Sequence, residues 1–297
     1  MDQHHSNCEK GYKPLINLNQ IYNEDCCAFM DRLSAQKILL DVIVTSPPYN
    51  MNKEYRSYRD NRNEDDYLTW LENVCRKIKA GLKIDGSFFL NIAGRPSDSA
   101  LPFKLVTRLT DNVGFKLQNT IHWIKSISFD SEDIGKKNGI HNDDNVSIGH
   151  FKPIVSARYL SDLHEYVFHF TKTGNVKLDK LQVGVTYQDK TNIGRWKTAI
   201  EDKRDRGNVW FIPYPTIQQS RPHPAVFPVK LPERCIELHG TRENMLVYDP
   251  FMGIGSTALA CIHLKVNYIG TEIDSQYIAI ANQRIIGYTQ TNLSMRE

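Results

Sequence analysis

The sequence predicts an α/β fold, a mostly parallel sheet with helices on both faces, and three observations predict it. Short apolar runs of the kind buried on both sides occur at residues 39–44, 87–92 and 245–248. Between them, helical periodicity recurs at 66–80, 100–112, 232–239, 256–264 and 275–286. The first and third runs stop at Pro47-Pro48 and Asp249-Pro250, as strands do when they enter a functional loop.

In chain order, residues 16–22 read as a strand that ends at Asn23-Glu24-Asp25, where Asp25 suits a helix N-cap. Cys26-Cys27 then begins a helix. The strand 39–44 and the helix 66–80 follow, and Asp85-Gly86 reads as the turn that opens the strand 87–92. After the helix 100–112, residues 117–125 and 164–172 alternate as an antiparallel strand pair at a sheet edge. The strand 245–248, the helix 256–264, the strand 267–272 and the helix 275–286 complete the rhythm. Two long polar stretches, 127–162 and 173–222, interrupt it, and loops of that length inside a compact domain are usually functional or disordered.

With 297 residues and 40% apolar content, the chain can bury one sizeable core. A net charge of +3 permits a nucleic-acid partner without requiring one. The six cysteines form no C-x-x-C pair, so reduced core thiols are expected and no metal site is implied. No run is long and apolar enough for a membrane span, and the opening MDQHHSNCEK has no apolar leader core, so a cytoplasmic location is expected.

The segment Asp249-Pro250-Phe251-Met252-Gly253-Ile254-Gly255-Ser256-Thr257-Ala258 joins a strand to a helix, where glycines let a ligand approach the backbone. Glu272, at the end of the next strand, is placed to accept the ribose hydroxyls of an adenosine. The glycine pattern alone fits a dinucleotide as well. Asp249 favours a ligand with a cationic methionine end over a pyrophosphate.

Thr45-Ser46-Pro47-Pro48-Tyr49-Asn50 follows the first apolar run, at the carboxyl edge of the sheet where ligands bind in such folds. Ser46 Oγ and the Pro47 carbonyl can accept the hydrogens of an exocyclic amine, exposing its lone pair for attack on a methyl group, while Tyr49 stacks on the ring. A base inside a duplex is out of reach, so such a target must be swung out. As plain structure, the same residues make a stiff Pro-Pro turn.

Ser46-Pro47-Pro48-Tyr49 resembles the catalytic motif of amino-directed DNA methyltransferases, and residues 249–257 resemble their cofactor motif. The order, catalytic motif first, is similar to the β class of these enzymes, a circular permutation of a Rossmann-like methyltransferase sheet. The resemblance implies S-adenosyl-L-methionine as cofactor and double-stranded DNA as partner. It leaves open a cognate restriction endonuclease and the choice between monomer and homodimer. Within it, Asp25 is similar to the aspartate that contacts adenine, and the run from Arg221 to Pro232, with His223 and Phe227, resembles the segment lining the methionine end. His122-Trp123-Ile124-Lys125 and His164-Glu165-Tyr166 resemble the strands beside the base pocket.

The resemblance divides the chain into a catalytic half (1–126), a loop insertion (127–163), a core strand (164–172), a target-recognition region (173–222) and a cofactor half (223–297). DNA contacts are expected from Arg195, Lys197, Arg204 and Arg206 in the recognition region and from His150 and Lys152 in the insertion. Serine at the first motif position is the pattern seen mostly in cytosine-N4 enzymes, so cytosine N4 is preferred over adenine N6. No Pro-Cys pair is present to serve as the nucleophile of ring-carbon chemistry. An NAD-dependent oxidoreductase and a non-catalytic DNA-binding module are the readings from other classes.

Overall fold

The computed structural model describes residues 15–95, 97–130, 146–149, 153–195, 201–213 and 226–294. Its strands are β1 (Gln20–Tyr22), β2 (Leu40–Thr45), β3 (Leu82–Ile92), β4 (Lys116–Ile124), β5 (Ser126–Phe129), β6 (Val146–Gly149), β7 (His164–Thr171), β8 (Val209–Phe211), β9 (Leu246–Asp249) and β10 (Asn267–Thr271). Its helices are α1 (Cys26–Ala35), α2 (Glu64–Gly81), α3 (Leu101–Asp111), α4 (Lys230–His239), α5 (Ser256–Leu264) and α6 (Ser275–Ser294).

Eight strands form one sheet in the order β1-β10-β9-β2-β3-β7-β4-β8, and β5 pairs with β6 as a separate antiparallel hairpin. The neighbours from β1 to β3 run parallel, and β7 lies antiparallel to both β3 and β4. The expected antiparallel pair is therefore β4 with β7. The outermost place beside it belongs to β8, three residues parallel to β4 that alternation did not reveal.

Strand β2 is buried along its whole length, which explains its unbroken apolar reading. Leu40 and Ile43 join a core with Phe29, Leu33, Leu71, Cys75 and Leu105 of α1, α2 and α3. Val42 and Val44 join the opposite core with Leu231, Ile236 and Ala258 of α4 and α5. The helix after β2 and the helix after β9 thus cover opposite faces, and a crevice opens between the carboxyl ends of these adjacent strands.

Two local expectations change. Residues 16–22 contribute only their last three to β1, and Asp85-Gly86 is not a turn but lies inside the eleven-residue β3. A register shift opposite Leu40 and Val42 takes up the irregularity. A Cβ at Gly86 would lie 2.8 Å from Leu82 Cγ and 3.0 Å from the Asp41 carbonyl, so the glycine serves close approach rather than chain reversal.

Among the described residues, no helix is long and apolar enough to cross a membrane.

Candidate active site

Thr45 closes β2, and the next residues turn into a cavity of about 270 Å³ at the carboxyl end of the sheet. Ser46, Pro47, Pro48 and Tyr49 form one wall, and Pro250, Phe251, Gly253 and Ser256 of the glycine loop form another. Asp25, Phe227 and Glu272 complete the set of sequence-predicted residues that meet there. His223 lies outside the described residues, as do His150, Lys152 and Lys197.

Asp249, Gly255 and Thr257 stand behind the loop rather than at the cavity wall. Asp249 is 1% exposed; Thr45 Oγ1 donates to its Oδ1 and Thr257 Oγ1 to its Oδ2, each at 2.6 Å, and the Phe251 amide donates to Oδ1 at 3.0 Å. Burial pushes this carboxyl up to about 6, against the pull of those hydrogen bonds. Its oxygens are taken by the protein, so Asp249 clamps the end of β2 to the glycine loop and does not face a cationic ligand directly. Gly255, with φ of 82°, sits in the left-handed region immediately before α5.

Glu272 accepts the Gly253 amide at one oxygen and the Asp274 amide at the other, both at 2.9 Å, and burial raises its pKa. Asp25 caps α1, accepting the amides of Cys27 and Ala28 on Oδ1, and also lines the cavity, so the capping and ligand-facing readings coexist. Asn23 Nδ2 donates to the carbonyls of Glu272 and Ile273, drawing the end of β1 over the turn after β10.

The wall formed by Ser46 to Tyr49 carries a polar chain. Ser46 Oγ lies 2.7 Å from Tyr49 Oη, Tyr49 Oη donates to Glu165 Oε2 at 2.9 Å, and Asn91 Nδ2 donates to Tyr49 Oη at 2.7 Å and to Glu165 Oε2 at 2.8 Å. Lys125 Nζ reaches Glu165 Oε1 at 3.2 Å. Burial, followed by the nearby Glu165 charge, holds the Tyr49 phenol well above its usual range, so it stays protonated. Tyr67 Oη donates to the Pro48 carbonyl at 2.8 Å, and no described residue donates to the carbonyl of Pro47.

Sequence reasoning missed the strap over the cavity, residues 50–62. Asp60, 2% exposed, accepts the amides of Asn50, Met51 and Lys53 and folds the strap on itself. The left-handed backbone at Asn50 and Asn52 was a usable signal, since asparagine tolerates positive φ. Arg62 lies over Trp70, whose ring meets Phe251 at 5.7 Å, and Ser57 Oγ donates to Asp274 Oδ2 at 2.9 Å. The strap therefore spans from the catalytic loop to the segment after β10.

The basic recognition stretch is placed differently from the cavity wall. The Asp179 amide donates to Leu238 and Gln182 Nε2 to Thr241, at the amino end of the sheet. Arg206 Nε is spent on the Val183 carbonyl, and Arg204 pairs its backbone with Val185. Arg195 follows the short 3-10 turn Lys190–Asn192 on the same outer stretch.

A family model described as DNA methylase matches residues 40–283, from β2 into α6. The chain belongs to the DNA methylase family. The type II methyltransferase M.BglII of Bacillus subtilis is 28% identical over 291 residues, 94% of this chain and 72% of the relative. The DNA adenine methyltransferase YhdJ of Escherichia coli K12 is 25% identical over 270 residues, 89% of this chain and 82% of the relative. The solved structure of the PvuII DNA methyltransferase, titled cytosine-N4-specific, superposes with a TM-score of 0.61 and 22% identity, covering 89% of this chain and 84% of that one.

This DNA methylase is an amino-directed, site-specific methyltransferase by family, and its methyl donor is S-adenosyl-L-methionine. The cavity fits such a ligand on its own chemistry. The buried Ser256 Oγ and Tyr58 Oη have no hydrogen-bond partner among the described residues, and both residues line it. Phe251, Trp70 and Tyr58 supply the apolar surface that an adenosine needs.

Proposed function

We propose that this DNA methylase transfers a methyl group to cytosine N4 in double-stranded DNA, at a base swung out of the duplex into the cavity beside Ser46. The observation that carries the reading is the position of Ser46: it lines the cavity that the glycine loop shares, and its Oγ lies 2.7 Å from Tyr49 Oη. Serine at this motif position is the pattern that the resemblance associates with cytosine N4.

S-adenosyl-L-methionine supplies an electrophilic methyl group on a sulfonium. Glu272 would take its ribose hydroxyls through the lone pairs left by Gly253 and Asp274, and Asp25, Pro250, Phe251, Ser256 and Phe227 would enclose the rest. Ser46 Oγ and the Pro47 carbonyl orient the target amine by accepting its hydrogens, which turns the nitrogen lone pair outward. The Tyr49 ring, fixed through its hydroxyl, offers a face against which the base can lie. Met51, Tyr55 and Tyr58 of the strap line the same space.

The test is to incubate the protein with methyl-labelled S-adenosyl-L-methionine and mixed-sequence duplex DNA, digest to nucleosides and identify the labelled one. Label on N4-methyldeoxycytidine supports the reading. Label on N6-methyldeoxyadenosine keeps the chemistry and replaces the base, in line with the name of the relative YhdJ. Absence of label favours a DNA-binding module.

A further inference from the structure

We propose that Glu165 is the proton sink of the transfer reaction, reached from the target amine through Ser46 and Tyr49; this rests on the function proposed above.

The direction of the Ser46–Tyr49 hydrogen bond follows from where Tyr49 sends its one proton. A carboxylate only accepts, so the single Tyr49 hydroxyl proton points at Glu165 Oε2, 2.9 Å away. Tyr49 Oη then accepts from Asn91 Nδ2 at 2.7 Å and, in the remaining direction, from Ser46 Oγ at 2.7 Å. Asn91 Nδ2 also approaches Ser46 Oγ, at 3.4 Å, and a lone pair of Ser46 is left for the cavity side. A donor there, such as the N–H of an exocyclic amine, completes an unbroken file of protons from nitrogen to carboxylate.

The file also meets a need of the reaction. Methylating an amine forms a nitrogen–carbon bond as the donor's sulfur–carbon bond breaks, and the nitrogen must shed one proton. Along the file, the nitrogen's proton goes to Ser46 Oγ, the Ser46 proton to Tyr49 Oη, and the Tyr49 proton to Glu165 Oε2. One N–H bond is exchanged for one carboxyl O–H bond, and neither Ser46 nor Tyr49 is left charged. This suits a phenol that is costly to ionise but free to exchange its proton.

Glu165 is held in place as an acceptor. Its side chain is 14% exposed, with Lys125 Nζ on Oε1 and the Asn91 amide on Oε2. The groups facing it are Lys125 at the end of β4, Asn91 on β3, Tyr49 on the catalytic loop, and His164 beside it on β7, which in turn feels His122 and Asp162. A merely structural carboxylate needs the lysine and the amide but not the alignment of two hydroxyls toward the cavity. Since Glu165 acts through Tyr49 and Ser46, it is a positioning and proton-accepting residue rather than one that touches the base.

The test is single-turnover methyl transfer to mixed-sequence duplex DNA, measured against pH for wild type, Glu165→Gln, Glu165→Asp and Lys125→Met, with donor affinity and melting temperature recorded for each. Wild type should lose rate in acid. Glu165→Gln, which keeps the shape but cannot take a proton, should be slower by about 10²-fold with no acidic limb. Glu165→Asp should recover part of the rate and the limb. Lys125→Met, which removes the cation held against Glu165 Oε1, should slow transfer while leaving donor affinity unchanged. A folded, donor-binding Glu165→Gln with a wild-type rate and pH profile overturns the proposal while leaving the transfer reaction standing. A wild type that transfers no methyl group overturns both.

Discussion

Two buried polar networks lie on the same sheet, and both contain the residue types of acid–base catalysis. Near the carboxyl end, Ser46, Tyr49, Asn91, Glu165 and Lys125 line up from the cavity inward. Toward the amino end, Ser87 Oγ sits 2.9 Å from both His169 Nε2 and His239 Nδ1, and Asn119 Nδ2 donates to His169 Nδ1 at 3.0 Å. A serine between two histidines looks the more reactive on paper. It is the inert one.

What separates the networks is access and charge. Ser87 and His169 are 0% exposed and do not line the cavity beside Ser46, and burial drives His169 down to about 3 and His239 to about 4, so both rings stay neutral. The amide of Asn119 orients His169 to donate to Ser87, and Ser87 to donate to His239, whose Nε2 finds no partner among the described residues. The carboxyl-end network keeps an anion, a cation and an open acceptor beside a ligand-sized space. Residue type therefore says little about role until accessibility is known.

The comparison can be broken most forcefully at the clamp between the two walls of the cavity. Asp249→Ala strands the hydroxyls of Thr45 and Thr257 and the Phe251 amide in a buried place, so urea unfolding should show a loss of about 3 kcal/mol, with S-adenosyl-L-methionine binding weakened as well. Unchanged stability would mean that the clamp carries no load.

The amino-end network makes a pH prediction. The folded pKa values of His169 and His239 lie below the ordinary value of 6.5, so the unfolded chain binds more protons in acid. Their contribution is fully present above about pH 6.5 and is lost as pH falls toward 4 to 3. Between pH 7 and pH 5 each histidine should cost ~2 kcal/mol of unfolding free energy. Asp249, raised to about 6, works in the opposite sense and offsets part of this. Unfolding curves for wild type and His169→Asn over that range should show the slope decrease in the variant; equal slopes would contradict the assignment.

The strap sharpens the contrast at smaller scale. Ser57→Ala removes the hydrogen bond to Asp274 at an exposed serine, so the affinity for S-adenosyl-L-methionine should fall by about threefold to tenfold by calorimetry, with stability almost unchanged. No change in affinity would detach the strap from the cofactor side.

The parts of the site that could be read in advance are those whose chemistry is contiguous in the chain. Ser46 to Tyr49 and Asp249 to Thr257 each carry a turn, a spacing and a polar group within ten residues, and the helices and buried strands announced themselves by period. Asn91, Asp60 and Asp274 could not be read this way. Asn91 sits inside an apolar strand and meets Glu165, seventy-four residues on, only because β3 and β7 pair. His164-Glu165-Tyr166 was recognisable as a strand near the base pocket, but its alternation could not say that Glu165 faces Tyr49. The hydrogen bonds of Asp249 were not legible either, since spacing alone cannot show that two threonines donate to its oxygens. The β8 strand, three residues long, falls below what periodicity can detect.

The central claim is that the Ser46 wall performs chemistry on a base while the glycine-loop wall holds the methyl donor. It is tested most directly by Ser46→Ala, with donor binding followed by calorimetry and methyl transfer to duplex DNA by single turnover. The account predicts donor affinity within about twofold of wild type and transfer slower by roughly 10²-fold or more. A variant that binds the donor and still methylates DNA at the wild-type rate would contradict it.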